Sequence, residues 1–112
     1  MVSTKPYLIR AIHEWCIDQG LTPHLAVLVD ERVVVPAGYV QDGQIVLNIG
    51  PDATSKLVMG NDAISFDARF GGAAHALLIP VGNVLAVYAR ETGQGMAFEV
   101  ERESAAGAPP SG

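Results

Sequence analysis

The residue types that most often carry out chemistry are sparse in this chain and scattered along it. The three histidines, His13, His24 and His75, have no cysteine or pair of carboxylates around them at metal-ligand spacing. Cys16 is the only cysteine, and its place in a helical pattern predicts a small buried apolar side chain. No serine lies in a nucleophile-elbow pattern. We therefore expect no metal, no cofactor and no enzymatic activity.

Two glycine-containing segments look superficially like nucleotide-binding loops. Residues 50–56 lack the closing Gly-Lys-Ser/Thr of a phosphate loop, and Pro51 removes one of the N–H groups that would hold a phosphate. Residues 93–95 could open a dinucleotide fingerprint, but Phe98 stands where its third glycine is required. The sequence predicts a plain interstrand turn at the first segment and a β-hairpin at the second.

Composition narrows the classes of protein that the chain can represent. Its 112 residues, 49% of them hydrophobic, suffice for one domain with a single core. A formal net charge of −5 with only seven Lys and Arg residues argues against a nucleic-acid partner. No apolar run approaches the roughly 18 residues of a membrane span. A lone cysteine excludes an internal disulfide, so we expect a soluble protein of the reducing cytoplasm.

One helix and then a series of short strands must position whatever site the chain contains. Thr4 is predicted to cap the helix, Pro6 fits its first turn, and Gly20 ends it. Apolar and long side chains recur along one predicted stripe, namely Leu8, Ile12, Trp15 and Gln19. The chain then changes to β-like runs at residues 25–29, 33–35, 45–49, 57–59, 63–70, 76–79, 85–89 and 96–100.

Turn residues separate these runs, which favours a meandering antiparallel sheet. We predict a mainly β fold with an N-terminal α-helix, in the form of a small Sm-like or SH3-like open barrel or folded sheet. Residues 105–112 contain only Ala, Gly, Pro and Ser, which cannot bury enough apolar area to offset the entropy of ordering. We therefore predict one domain over residues 1–103 and a disordered, apparently truncated C-terminal tail over 104–112.

Several segments of the chain jointly resemble the stringent starvation protein B (SspB) family. They are PYLIRA at 6–11, EW at 14–15, LTPHL at 21–25, DGQIVLNI at 42–49, ND at 61–62, FDARFGG at 66–72 and VLAVYARE at 84–91. The resemblance extends over about residues 6–98, nearly the whole chain. A chance match of one short motif does not explain agreement of this extent.

The resemblance implies a proteolysis adaptor that makes and breaks no covalent bond. Members of this family bind ssrA-tagged polypeptides in a peptide groove and tether them to the ClpX unfoldase for degradation by ClpXP. They are homodimers of Sm-like barrels, and a short motif at the end of a flexible C-terminal tail docks on ClpX. The present sequence ends at Gly112 without that motif, which we interpret as trimming. The alternative of a divergent member stays open.

The likeness also assigns residues to the groove. In the run 65–70, Ser65, Asp67 and Arg69 alternate with Phe66, Ala68 and Phe70, so one side faces the core and the other can face a peptide. Ala68 is short and leaves room for another backbone. Arg69 is expected to pair either with an acidic tag residue or with Asp67 or Asp62. A weaker assignment adds Val46 and Asn48, which share one face of their strand.

The first helix is assigned to the dimer interface in the same way. Tyr7 and Ala11 lie one turn apart, Glu14 and Trp15 follow on the same side, and the small Ala11 permits close approach to a second helix. Two other functions remain as alternatives. One is an Sm-like RNA-binding regulatory module, which the acidic composition disfavours. The other is an enzyme that uses Asp and Arg near residues 71–72, for which no nucleophile and base can be named.

Overall fold

The computed structural model describes residues 3–99, which form one α-helix and seven β-strands. The helix, α1, spans Lys5–Asp18. The strands are β1 (Pro23–Leu28), β2 (Gln44–Asn48), β3 (Ser55–Met59), β4 (Ala63–Phe70), β5 (Ala73–Pro80), β6 (Val84–Ala89) and β7 (Gly95–Ala97). Two short 3-10 helices, Ala37–Tyr39 and Val81–Asn83, precede β2 and β6.

The ends of α1 show how the local sequence sets its length. Thr4 occupies the N-cap position, as predicted, but it has helical φ and ψ and its side chain makes no capping hydrogen bond. Ser3 instead accepts the backbone N–H of Lys5 at 3.0 Å. At the other end Gly20 adopts φ +73°, and Leu21 N–H bonds to the Cys16 carbonyl at 2.7 Å. This is a Schellman ending, which requires a left-handed residue that glycine supplies without strain.

The buried face of α1 is rotated from the predicted stripe. Pro6, Ile9 and Cys16 are its buried residues, whereas Leu8 and Trp15 are half-buried and Gln19 is exposed. Ile12, which is in the predicted stripe, does pack against the core. The prediction for Cys16 as a small buried apolar group is confirmed, since its exposure is 0%.

All strand pairs are antiparallel, and the strands form two sheets. The larger sheet has the order β2-β1-β6-β7, and the smaller has the order β3-β4-β5. Phe70 pairs with Ala73 around the tight turn between β4 and β5, whose central glycines, Gly71 and Gly72, both have positive φ. Such φ values at both central positions match the type I′ turn that right-twisted hairpins favour.

The hydrophobic core lies between the inner faces of the two sheets. The larger sheet contributes Leu25, Val27, Leu47 and Val87, and the smaller contributes Ile64, Phe66, Leu77 and Ile79, all at most 2% exposed. Helix α1 packs on β6, β1 and β7 and adds Ile9 to the same cluster. The described strands do not close into a barrel, so the predicted mainly β, open fold with an N-terminal helix is confirmed.

Most predicted runs match a strand, with one clear exception. Residues 33–35 form only an isolated bridge, in which Val34 and Leu78 exchange backbone hydrogen bonds of 2.9 and 3.1 Å. A turn at Asp30–Val33 precedes the bridge, and Pro36 follows it without an N–H to extend the ladder. Val100 of the last predicted run and the predicted tail over 104–112 lie outside the described residues. Within residues 3–99, no helix is long and apolar enough to span a bilayer.

Candidate functional site

Strand β4 presents two different faces, as its alternating sequence predicts. Phe66 is 2% exposed and belongs to the core, so its side chain is not on the surface as a peptide-binding group. Ala68 and Phe70 are half-buried and pack against the core cluster. The opposite face is more open. There Ser65 lies between the exposed Val58 and Leu78 of the neighbouring strands.

An open groove of about 490 Å³ runs beside β4, and we call it the β3–β4 groove. It is lined by residues 52–56, residues 67–69 and Ala74. The structure therefore brings Asp67, Ala68 and Arg69, three of the predicted groove residues, into one concave surface. The segment that precedes β3 forms the opposite wall. The sequence did not predict this wall, because the strand was expected to begin at Leu57.

Lys56 enters this groove through an irregularity in β3. Ser55 pairs with Asp67 and Val58 with Ser65, so two residues of β3 lie between pairs that are separated by a single residue on β4. The extra residue makes a β-bulge, and at this bulge Lys56 adopts φ +56°. Leu57 still packs against the core. The Lys56 side chain is 84% exposed and therefore lies on the outer side of the strand.

The groove carries charges of both signs. Lys56 Nζ lies 3.9 Å from Asp67 Oδ2, and both side chains are open to water. Arg69 makes a different contact, in which its Nη1 donates to the Gly72 carbonyl at 3.3 Å. Arg69 forms an ion pair with neither Asp67 nor Asp62. The structure thus shows neither of the intramolecular ion pairs considered for Arg69, which lines the groove.

Two more of the predicted groove residues, Val46 and Asn48, lie on the outer face of β2, in separate depressions. Asn48 lines one of about 290 Å³ at the end of α1, which shares Asp52 and Ala53 with the β3–β4 groove. Its Oδ1 accepts the Gly50 N–H at 2.8 Å, so Asn48 also fixes the turn after β2. Val46, 52% exposed, lines another depression of about 540 Å³. The structure does not bring Val46 together with Asp67 and Arg69 in one concavity.

Tyr39 connects the surroundings of Val46 with the end of β4, and sequence analysis did not find it. It lines the depression at Val46, and its ring lies 4.8 Å from that of Phe70. Phe70 also contacts His75 edge to face at 5.9 Å. Tyr39 ends the 3-10 helix Ala37–Tyr39, which is too short for periodicity to give a signal. An isolated aromatic residue beside Gly38 was the one available hint.

The residues assigned to the dimer interface lie along one side of α1. Tyr7, Ala11 and Glu14 are exposed and Trp15 is half-buried. The Arg10 guanidinium lies 4.5 Å from the centre of the Tyr7 ring and donates to the Met59 carbonyl at 3.1 Å. The Tyr7 ring is thus held in place while 53% of the residue remains exposed. This side of α1 is available for contact with another molecule.

The contacts and burial of His13, His24 and Cys16 fit structural roles. His13 Nε2 lies 2.9 Å from the Ile49 carbonyl oxygen, and His24 contacts the Tyr88 ring at 5.8 Å. Burial, with the nearby Arg90 charge, lowers the pKa of His24 below its usual value. Burial raises the pKa of the Cys16 thiol, and Glu91 adds to the shift. Within residues 3–99, no three His, Cys, Asp or Glu side chains are grouped as metal ligands.

The two glycine-containing segments form the predicted turn and hairpin. Ala53 N–H bonds to the Gly50 carbonyl at 3.0 Å, which closes a turn between β2 and β3. At residues 93–95, Gly93 N–H bonds to Ala89 carbonyl at 2.7 Å, and β7 then pairs with β6. Both interpretations are therefore confirmed.

The fold is a small open β domain with an N-terminal helix, and an open groove lies beside β4. The chain belongs to the stringent starvation protein B family, whose model matches residues 3–111. The stringent starvation protein B homolog of Haemophilus influenzae is 50% identical over 98 residues, which cover 87% of this chain. The chain spans 65% of the length of that relative.

Proposed function

We propose that this chain is the substrate-binding domain of a proteolysis adaptor that holds ssrA-tagged polypeptides and delivers them to the ClpX unfoldase. Family membership supports the adaptor role. The observation that carries the peptide-binding step is the β3–β4 groove, in which Asp67, Ala68 and Arg69 line an open concavity of about 490 Å³. The proposed function involves no covalent chemistry, and we propose that the protein acts in the cytoplasm.

The groove suits an extended peptide better than a compact ligand. It is shallow and open, and β3 lies at the edge of its sheet among the described strands. Edge strands offer unpaired main-chain groups, and extended peptides gain affinity from such groups together with side-chain pockets. Asp52 and Ala53 line both this groove and the depression at Asn48. We propose that the tag runs past them, which gives Asn48 a contact at one end of the bound peptide.

Val46 belongs to the proposal only through Tyr39. The depression at Val46 is separate from the β3–β4 groove, but Tyr39 lines it and touches Phe70 at the end of β4. A longer peptide that continues past Phe70 would reach Val46. Contact with Val46 therefore depends on peptide length, whereas contact with Ala68 does not.

Delivery would work by tethering. A flexible link between the bound substrate and ClpX converts their encounter into an intramolecular event, with an effective concentration on the order of millimolar for short linkers. A homodimer that pairs through the exposed side of α1 would present two grooves and two tethers. Such an arrangement allows modest individual affinities to combine into efficient capture.

The experiment is an anisotropy titration of this protein into a fluorescein-labelled ssrA peptide. The wild-type chain should bind saturably, and unlabelled peptide should compete. Ala68→Gln inserts a larger polar side chain into the groove, and we expect it to weaken binding about tenfold, equivalent to about 1.4 kcal/mol. Ala97→Gln, at an exposed alanine of the edge strand β7, is the matched control and should bind like the wild type.

Two further measurements make the result decisive. Denaturant unfolding of each variant shows whether Ala68→Gln remains folded, which matters because Ala68 also packs against the core. A labelled single-stranded RNA tests the alternative function. Failure of the folded wild-type protein to bind the peptide would refute the proposal, and saturable RNA binding would favour the RNA-binding module.

A further inference from the structure

The backbone of β3 is distorted at one position, and the distortion puts a charge into the groove. Lys56 is one of two non-glycine residues with positive φ among residues 3–99. A lysine in the left-handed region is unfavourable because its Cβ crowds the backbone, and glycine would adopt this conformation freely. In a regular strand, Lys56 and Ser55 would point to opposite faces. The bulge leaves both exposed on the groove side.

Contacts within the described chain do not account for this arrangement. The one ion pair of Lys56 is its 3.9 Å contact with Asp67, and the Lys56 side chain is 84% exposed there. Exposed ion pairs at such separations stabilise a fold very little. Lys56 does not pack against the core cluster, whereas its neighbour Leu57 does. Residues that have a strained backbone and contribute little to the stability of the fold are concentrated at binding sites.

The charges around Lys56 indicate what it would bind. Arg69 lines the same groove and lies on the same face of β4 as Asp67, so the two cations flank one carboxylate. Arg69 is partly restrained by the Gly72 carbonyl. Lys56, with a long flexible side chain and a distant partner, can move to a second carboxylate at little cost. This pattern favours a ligand with an acidic side chain beside β3.

We propose that Lys56 is a specificity-determining residue of the groove that binds an acidic side chain of the extended peptide. The inference rests on the proposed peptide-binding function. The Lys56 ammonium exchanges its contact with Asp67 for one with the peptide carboxylate. The bulge is retained because it holds this ammonium on the groove face. Peptides with an acidic residue at this position are thereby preferred over their amide counterparts.

A double-mutant cycle tests the assignment. Binding of the ssrA peptide, and of the same peptide with each Asp and Glu replaced by Asn and Gln, is measured for the wild type, Lys56→Gln, Lys56→Gly and Lys56→Arg. We expect Lys56→Gln and Lys56→Gly to weaken the acidic peptide about three- to tenfold and the amide peptide less than about twofold. Lys56→Arg should retain the preference, and added salt should reduce it.

The control is Arg90→Gln, which removes one exposed cation that is ion-paired with Glu91 at 3.5 Å and lies outside the groove. It should leave both affinities unchanged. Lys56→Gly should also unfold at the same or a higher denaturant concentration than the wild type, since it relieves the positive φ.

The results that would contradict the role of Lys56 differ from the result that would contradict the proposed function. Equal losses for the acidic and amide peptides, or no loss in either variant, would overturn the role of Lys56 while leaving peptide binding intact. A similar loss in Arg90→Gln would assign the effect to overall charge and would also overturn it. Absence of binding to the wild type would contradict the proposed function itself.

Discussion

The Glu91 carboxylate joins the residues after α1 to the end of β6. It accepts the Thr22 N–H at 2.8 Å and the Thr22 hydroxyl at 2.7 Å. These hydrogen bonds hold the pKa of Glu91 at about 2, well below its ordinary value of 4.5. The pKa of Asp30 is similarly lowered to about 2, chiefly by the Arg32 side chain. Both carboxylates therefore bind protons more weakly in the folded chain than in the unfolded one.

Stability should consequently fall in acid. A carboxyl group whose pKa is lowered by folding contributes stability above its ordinary pKa and loses that contribution as the pH falls toward the folded value. We predict that the free energy of unfolding decreases between about pH 5 and pH 2, and that Glu91→Gln reduces this decrease by removing one of the two shifted groups. Urea unfolding across this pH range measures it.

Glu31→Gln is the matched control for Glu91→Gln. Glu31 is exposed and has no hydrogen bond within residues 3–99, so its removal should leave the acid dependence as steep as in the wild type. Identical pH profiles for Glu91→Gln and the wild type would contradict the role given to Thr22.

Single residues also show which parts of the groove could be located from the sequence. Strict alternation places Asp67 and Arg69 on one face of β4 and Ala68 on the other, and all three line the groove. Phe66 was included in the predicted peptide-binding set, and the structure places its side chain in the core at 2% exposure. Lys56 was missed because a bulge has no periodicity. The break in alternation from Ser55 and Lys56 to three apolar residues was the signal that could have revealed it.

The hairpin of β4 and β5 sets the position of the groove wall that contains Asp67 and Arg69. Its turn glycines differ in their surroundings. A Cβ on Gly71 would lie 2.9 Å from the Tyr39 hydroxyl, whereas a Cβ on Gly72 would meet nothing within 4 Å. Both residues have positive φ, at +61° and +87°. The turn therefore needs glycine at both positions for backbone reasons, and at Gly71 for steric reasons as well.

We predict that Gly72→Ala costs about 1–2 kcal/mol of unfolding free energy, the price of an alanine in left-handed conformation. Gly71→Ala should cost more, because Tyr39 must move, and should also disturb the Phe70 contact. Urea unfolding compares the two variants directly. Equal losses would show that the Tyr39 hydroxyl yields without cost.

The elements themselves were largely readable from the sequence. Turn chemistry and two-residue alternation predict all seven described strands within a few residues of their observed positions, and Gly20 ends α1 as expected. The rotation of the helix was not predictable, because Leu8 and Ile9 are equally apolar and only the position of the sheets selects the buried one. Residues 33–35 were predicted as a strand from their apolar pattern. They form only an isolated bridge at Val34, because the flanking turn and Pro36 limit pairing.

The whole molecule is proposed to act as a dimer through the exposed side of α1. Small Ala11 lies between Tyr7 and Glu14 on this side, and Arg10 orients the Tyr7 ring. We predict that Ala11→Arg weakens dimerisation at least about tenfold, since a long charged side chain would be buried without a partner between the helices. Sedimentation equilibrium measures the change in dimer affinity. The monomeric variant should still unfold at the midpoint of the wild type.

Ala37→Arg provides the matched change at an exposed alanine of the 3-10 helix before β2, and should leave the dimer intact. A monomeric wild type, or a dimer that Ala11→Arg leaves unchanged, would place the contact elsewhere. Neither result would affect the groove, which lies within one chain.

The proposed function requires that an extended ssrA peptide occupies the β3–β4 groove. The most direct measurement is a titration of the isotopically labelled protein with unlabelled ssrA peptide, followed by backbone amide chemical shifts. Occupancy of the groove should give saturable shifts concentrated at residues 52–56, residues 67–69 and Ala74, with little change on β7. Saturable shifts confined to another surface, or none at all in a folded protein, would contradict it.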